Sequence, residues 1–322
     1  MQPLTLAEFE AAAEAYDAAV AAGDDTDRFC TASHWILSAP GSVSALGDPW
    51  FRRGEAGWIA ALLRRTTRGL RVIGGLEQMW GFCCPLVGLD PHRLAVAFAA
   101  DLALRRKEWD FLHLCGLPPD GPLLASLAES PARGPLFEVT PGIVRDIASL
   151  RGGLDGYLAR RTRAHRKALR RAGRLAAEAG VALEHHRRGD AAALMARILD
   201  VEVRSWKGQQ RVGIESGRMR AFYTRMLPRL ERAGRLRLVF ATRDGRDLAY
   251  CLGGVFGGTL RGLQQSYDAA CAELSLGSLC QLHLVRTVCA DGDALRYDLG
   301  MDKDYKHRWA ERRLQTVNLL AR

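Results

Sequence analysis

RLRLVFATRDGRDLAYCLGGVFGGTLRGLQQSY, residues 235–267, is the stretch on which the fold turns. Its first part, 235–242, alternates with a period of two and predicts a strand. Arg243-Asp244-Gly245-Arg246 follows as a hairpin turn, because Asp-Gly tolerates the positive φ that tight hairpins need. Residues 248–256 return as a second strand. Gly257-Gly258-Thr259 is another tight turn, and 260–267 is a third strand. Turns this short leave no room for a crossover, so the three strands must be antiparallel neighbours.

Further along, Gly277 or Ser278 opens a helix to about 290, and a strand follows at 295–299. That strand–helix–strand passage is a crossover. One helical turn over 304–309 and a strand at 314–320 follow. On the N-terminal side, a strand at 181–186 precedes helices at about 191–206 and 216–233, the first capped by Asp190 and the second stopped by Gly234. The order from 181 is β-α-α-β-β-β-α-β-α-β. It implies an α/β (α+β) layer fold, a mixed sheet flanked by helices. No GxGxxG follows a strand, which argues against a Rossmann domain.

The first half reads less sharply. Residues 5–22 predict an Ala-rich helix, 58–63 and 69–76 short strands, 92–107 a helix, 109–115 a strand, 123–129 a short helix and 135–148 an extended segment. The Gly-rich joint RGGLDG (151–156) sets the expected domains at 1–150 and 151–322. A strongly basic helix is expected from about 157 to 179. A faint repeat links the halves: Gly75-Leu76-Glu77-Gln78 stands about 187 residues before Gly262-Leu263-Gln264-Gln265. Asp110-Phe111-Leu112 falls on Tyr297-Asp298-Leu299 at the same offset.

Composition narrows the function. The 322 residues are 48% hydrophobic, yet no window approaches the ~18 apolar residues of a membrane span. The acidic, amphipathic N-terminus lacks the features of a secretory leader, so a cytoplasmic location is expected. Eight cysteines form no CxxC pair and no His/Cys cluster has zinc spacing, so reduced cysteines and no metal are expected. A net charge of +10 favours an acidic partner: a nucleotide cofactor, a nucleic acid or an anionic membrane. There are 41 Arg and only 5 Lys, and Lys207, Lys303 and Lys306 fall in two short C-terminal segments. Where Arg supplies the general charge, a Lys suggests a compact ammonium or its proton chemistry. Arg160–Arg174 holds eight basic residues along a thin apolar stripe (Leu158, Thr162, His165, Leu169, Ala172, Leu175). It reads either as a solvated helix or as a landing strip for anionic lipid, RNA or a substrate phosphate. With no aromatic in the run, base stacking is not expected.

Several segments resemble the CelD/BcsL-like N-acyltransferases of the GNAT superfamily: Glu202-Val-Arg-Ser-Trp-Lys-Gly208, Phe222-Tyr223, Gln265-Ser-Tyr-Asp268, Leu274-Ser-Leu-Gly-Ser-Leu279, and Tyr297-Asp-Leu-Gly300 followed by Tyr305-Lys306 and Trp309. The similarity covers about 155–320. The first half matches only as a degenerate copy of a doubled domain, an arrangement similar to FemABX-type aminoacyl transferases. The resemblance implies tandem GNAT-like domains, with acyl-CoA as co-substrate and an amine of a sugar, amino acid or lipid precursor as acceptor. A peripheral membrane contact is compatible with it, tRNA is the alternative donor, and DNA is not expected. One departure stands out: Leu276 replaces the proline of the family's Ser-Pro-Gly.

Acyl transfer to an amine needs a neutral nitrogen, donors for the tetrahedral oxyanion and an acid for the leaving thiolate. By family analogy a splayed strand exposes the oxyanion donors. Asp268 could orient or deprotonate the amine and Tyr267 protonate the thiolate; alternatively Asp268 caps a turn and Tyr267 packs on the sheet. Asp298 inside a strand is disfavoured unless paired or used. It could form an ion pair with Lys306, or both could face the cleft. Trp206 and Lys207 could hold acceptor or cofactor, or anchor a helix end. Glu202 is a reserve base. Ser275, Leu276, Gly277, Ser278 and Leu279 open a helix whose free amides attract phosphate, the expected place for the CoA pyrophosphate, or form a plain cap. Gln265 and Tyr305 complete the expected acceptor site.

Overall fold

A computed structural model describes residues 1–23, 27–130 and 137–322. Within them the chain divides into two units, Met1–Val144 with Gln315–Arg322, and Arg145–Leu314.

The first unit opens with β1 (Gln2–Leu4), α1 (Leu6–Ala11) and α2 (Ala13–Ala22). Thr5 and Glu8 form a reciprocal cap on α1. The single helix expected over 5–22 is broken at Ala12, whose ψ of 8° is not helical. Then come α3 (Arg28–Thr31), α4 (Ser33–Ile36), β2 (Asp48–Gly54), β3 (Gly57–Arg65), β4 (Arg71–Gly75), β5 (Leu86–Val87), α5 (Pro91–Leu104), β6 (Phe111–Leu117), α6 (Pro122–Glu129) and the start of β7 (Phe137–Ser149). Residues 135 and 136 of the expected extended segment lie outside the described residues.

Strand β2 gave no sequence signal. Trp50, Phe51 and Arg52 are all buried, so it lacks the alternation of a half-exposed strand. Asp101 makes this possible by accepting from Trp50 Nε1 (2.7 Å) and Arg52 Nε (3.0 Å). β2, β3 and β4 form an antiparallel meander, and β6 returns parallel to β4 after α5.

The second unit holds the end of β7, α7 (Gly153–Ala159), α8 (Arg163–Glu178), β8 (Ala182–His186), α9 (Ala191–Arg204), α10 (Trp206–Gln209), α11 (Gly217–Arg232), β9 (Leu236–Arg243), β10 (Arg246–Phe256), β11 (Thr259–Tyr267), a 3₁₀ turn (Ala269–Leu274), α12 (Leu276–Asp291), β12 (Arg296–Met301), α13 (Asp304–His307) and the start of β13 (Arg312–Ala321). The stretch 235–267 is the antiparallel meander β9–β10–β11, and β12 returns parallel to β11 after α12. The same plan thus occurs twice. Leu276, Cys280, Leu284, Val285 and Val288 press α12 onto the sheet, and each fully buried Leu or Val contributes about 1.5–3 kcal/mol.

The division falls at Val144/Arg145, ahead of the Gly-rich joint, and residues 315–322 cluster with the first unit. Arg145 and Ser149 of β7 pair with β12, whereas Val317 and Leu319–Ala321 pair with β6. Such pairings join residues far apart in sequence, which local turn signals cannot report. The basic helix is also broken: Thr162 leaves helical geometry (ψ 151°) and caps α8 by accepting from His165 N. Arg161, expected in a solvated run, is buried and donates to Ala310 O (2.6 Å) and Glu311.

Candidate functional site

β11 and β12 run side by side only through Thr259↔Arg296, Leu260↔Tyr297 and Arg261↔Asp298. Beyond that point β11 stays with β10, while β12 follows β7 to Met301↔Arg145. The strands part, and a cleft of about 70 Å³ opens beside them, lined by Lys207, Gln264, Gln265, Tyr305 and Lys306 among others. Leu263 is the extra residue of a β-bulge, since Leu252 faces Gln264 and Gly253 faces Gly262. The bulge disturbs the alternation, and Gln264 and Gln265 both reach the cleft.

Lys207 sits on α10, a short turn capped by Ser205. Its Nζ donates to Gln265 O (2.6 Å) and Gln264 Oε1 (3.2 Å). Burial lowers its pKa, and the charge of Glu202 partly offsets this. Lys306 sits on α13 and donates to Met301 O (2.9 Å). Burial, with Arg261 nearby, pushes its pKa down to about 8. Among the described residues neither ammonium has a carboxylate within ion-pair distance.

The carboxylates expected at the centre are engaged elsewhere. Asp298 is buried between Arg145 and Arg261 (2.9 Å) and accepts from Gly300 N (2.8 Å); it does not pair with Lys306. A buried acid is tolerated only with such partners. Gly300 adopts φ +79°, and a Cβ there would lie 3.7 Å from Lys306 Nζ. Asp268 caps the 3₁₀ turn through Ala270 N (3.0 Å) and is paired with Arg204 (2.8 Å) and Arg246 (3.0 Å). Burial alone would raise its pKa, but the Ala270 amide and Arg204 outweigh this and lower it. It is therefore a charged structural acceptor rather than a ready base. The Tyr267 ring packs against Gly277, 3.3 Å from where a Cβ would stand.

Glu202 is fully buried behind the cleft and accepts from Tyr250 Oη. Burial raises its pKa. Trp206 and Tyr305 are about half exposed, and Tyr305 reaches the cleft. Ser275 takes the left-handed conformation (φ 54°) and α12 begins at Leu276. Leu276 lies in the core, so the residue that replaces proline anchors the helix start by packing. Gly277, Ser278 and Leu279 form the rest of that first turn. Arg145, Arg204, Arg261 and Tyr250 were not foreseen, because each partner lies on a distant element. Gln264 could have been found from its place in the third meander strand.

Asp146, Asp302 and His307 also converge, with candidate ligand atoms within 4.8 Å of one another. Arg313 already stands among them, 2.9 Å from His307 Nε2 and 3.6 Å from Asp302. All eight cysteines are free thiols, and Cys251 lines the cleft. Among the described residues no helix is long and apolar enough to cross a membrane.

A splayed strand ahead of a crossover helix is the arrangement the sequence resemblance implied, and the sequence itself can be matched to it. Residues 163–307 match the family model of the acetyltransferase (GNAT) domain. Most of the second unit thus matches a GNAT-type acetyltransferase domain, and the repeated plan gives the fold of tandem GNAT-like domains. Among solved structures, a conserved protein of unknown function from Bacteroides thetaiotaomicron is 13% identical with a TM-score of 0.69, covering 100% of this chain and 99% of that one. FemX is 11% identical with a TM-score of 0.66, covering 98% and 97%. The C-terminal domain of a putative lysylphosphatidylglycerol synthetase from Agrobacterium fabrum is 13% identical with a TM-score of 0.61, covering 97% and 92%. At these identities the likeness is one of fold. No curated protein matches the chain in sequence.

Proposed function

We propose that the second unit is an acyl-CoA-dependent N-acyltransferase of the CelD/BcsL-like kind, acting on a primary amine of a sugar, amino acid or lipid precursor. The parting of β11 from β12 after Arg261↔Asp298 carries this reading, because it gives a thioester access to the edge of a bulged strand. The neutral amine attacks the thioester carbon, the C–N bond forms and the C–S bond breaks. Backbone amides beside the bulge at Leu263 stabilise the oxyanion. Lys306, with a pKa of about 8, gives its proton to the departing thiolate, whose thiol has a pKa of about 8.5, and then takes up the proton that the attacking nitrogen loses, so the ammonium is restored. The first-turn amides of α12, from Leu276 and Gly277, hold the pyrophosphate of CoA. Asp268 and Asp298 act as positioning residues, and the first unit serves as a degenerate, non-catalytic copy.

The test is thiol release from a panel of acyl-CoAs with mixed amine acceptors, paired with thermal stabilisation by CoA. Absence of both would remove the reading. A second reading, transfer from aminoacyl-tRNA, is favoured by the face of α8. Arg163, Lys167, Arg170, Arg171 and Arg174 are exposed there, opposite the buried His165, Leu169, Ala172 and Ala176. At about 100° per residue the five cations form one outward stripe. Co-purifying tRNA that dissociates steeply with salt would support it; anionic vesicle binding would instead support a peripheral membrane contact.

A further inference from the structure

The cleft has an unusual balance of hydrogen-bonding groups. No carboxylate lines it, while two ammonium groups do. The protonation of a leaving thiolate occupies Lys306 and leaves Lys207 without a task. Burying an ammonium that lacks a full counter-charge is costly in the free protein. The charge of Glu202 offsets only part of this cost at Lys207, because burial disfavours that charge and Glu202 Oε1 accepts from Tyr250 Oη.

The acceptors around Lys207 are already used. Its Nζ takes Gln264 Oε1 and Gln265 O, which leaves one N–H of the ammonium over. Holding Gln264 by its oxygen turns the amide NH₂ outward. Among the described residues neither that NH₂ nor the side-chain amide of Gln265 has a hydrogen-bond partner. One cation and two amide donors therefore converge on a space of about 70 Å³, the scale of a head group rather than of a whole substrate. Such a site repels a second cation and is completed by a compact anion.

We propose that Lys207, Gln264 and Gln265 form a receptor for a compact oxyanion, a carboxylate or a phosphate, carried by the acyl acceptor. This rests on the acyl-transfer reading of the same cleft and narrows its substrate class: the acceptor is an amino acid or a phosphorylated amine, not a simple amine or a polyamine.

The chain has only five lysines, at 107, 167, 207, 303 and 306, so lysine-selective ¹⁵N labelling of the full chain yields a readable set of ammonium signals. Lys207→Arg assigns the Lys207 signal. Four probes are titrated at constant ionic strength: glycine against glycinamide, and O-phosphoethanolamine against ethanolamine. The Lys207 signal is expected to shift saturably with glycine or with O-phosphoethanolamine, at concentrations about tenfold or more below those of the counterpart that lacks the oxyanion. The arm that responds more strongly names the source of the oxyanion. Gln264→Leu is expected to weaken that response without erasing the signal. An unmoved Lys207 signal, or equal shifts with the probes that carry an oxyanion and those that lack one, overturns the receptor. Thiol release from acyl-CoAs is followed on the same samples. Release without preference for anionic acceptors removes the receptor and leaves acyl transfer standing. A selective Lys207 response without release from any acyl-CoA does the reverse.

Discussion

The two units repeat one plan of meander, helix and parallel return strand, and they differ at the point where the parallel strands part. In the second unit the space beside β11 is lined by lysines and glutamines. In the first, the loop after β4 folds back and fills it. Glu77 is fully buried and accepts from Trp80 N (2.6 Å) and Phe82 N (3.3 Å). A Cβ on Gly116 would stand 2.5 Å from Phe82 O, one on Gly75 3.1 Å from Cys83 Sγ, and one on Gly74 2.6 Å from Gln78 Nε2. Buried Arg64 donates to Gly75 O (2.6 Å), and burial lowers its pKa to about 10. In the repeat, Glu77 and Gln78 answer to Gln264 and Gln265. One copy uses these positions to close its own loop; the other turns them outward. A shared topology therefore does not carry a shared site.

The sharpest way to break this contrast is Lys306→Met. As the proposed acid of the open cleft, its loss should lower turnover about 10²–10⁴-fold, read as thiol release. The pH profile checks the sign. Lys306 is protonated below about 8, so wild-type kcat should fall as pH rises through about 8, and the variant should lack that limb. A flat wild-type profile across that range would assign the proton elsewhere.

Next in size is Asp298→Asn. It leaves Arg145 and Arg261 buried without their shared carboxylate, and stability should drop by about 3–5 kcal/mol in urea unfolding. An unchanged midpoint would mean that Asp298 is free to serve chemistry instead.

Gly116→Ala probes the filled copy. The residue has φ +72° and no room for a Cβ, so the variant should lose about 1–3 kcal/mol of stability while keeping its turnover per folded molecule. A specific loss of turnover would give the first unit a catalytic part. The smallest effect belongs to Arg170→Ala with Arg171→Ala. Both side chains are exposed on α8, and stability should move by less than about 0.5 kcal/mol per site. Any large change would then appear only in binding to a polyanion.

The meander, the crossover helix and the strand that follows were legible within a residue or two, because Asp244-Gly245 and Gly257-Gly258 mark turns that leave only antiparallel pairing. Lys207, Lys306, Gln265 and Tyr305 were legible as cleft residues through scarcity of Lys and through family resemblance. Asp268 and Asp298 show the limit. Sequence flagged Asp298 as an acid that needs a partner and Asp268 as a base or a turn cap, and in the structure both pair with arginines on other elements, at 145 and 261 and at 204 and 246.

By itself the sequence determined the local alphabet: which segments of the second unit are strands, where tight turns force neighbours, which charges are rare. Those properties depend on a few adjacent residues and on backbone sterics. Only the tertiary structure decided that the last strand lies with the first unit, that one opening is filled and the other lined by cations, and that the acids are spent on arginines. Each of these depends on pairings across long stretches of chain, and no local propensity encodes such a pairing.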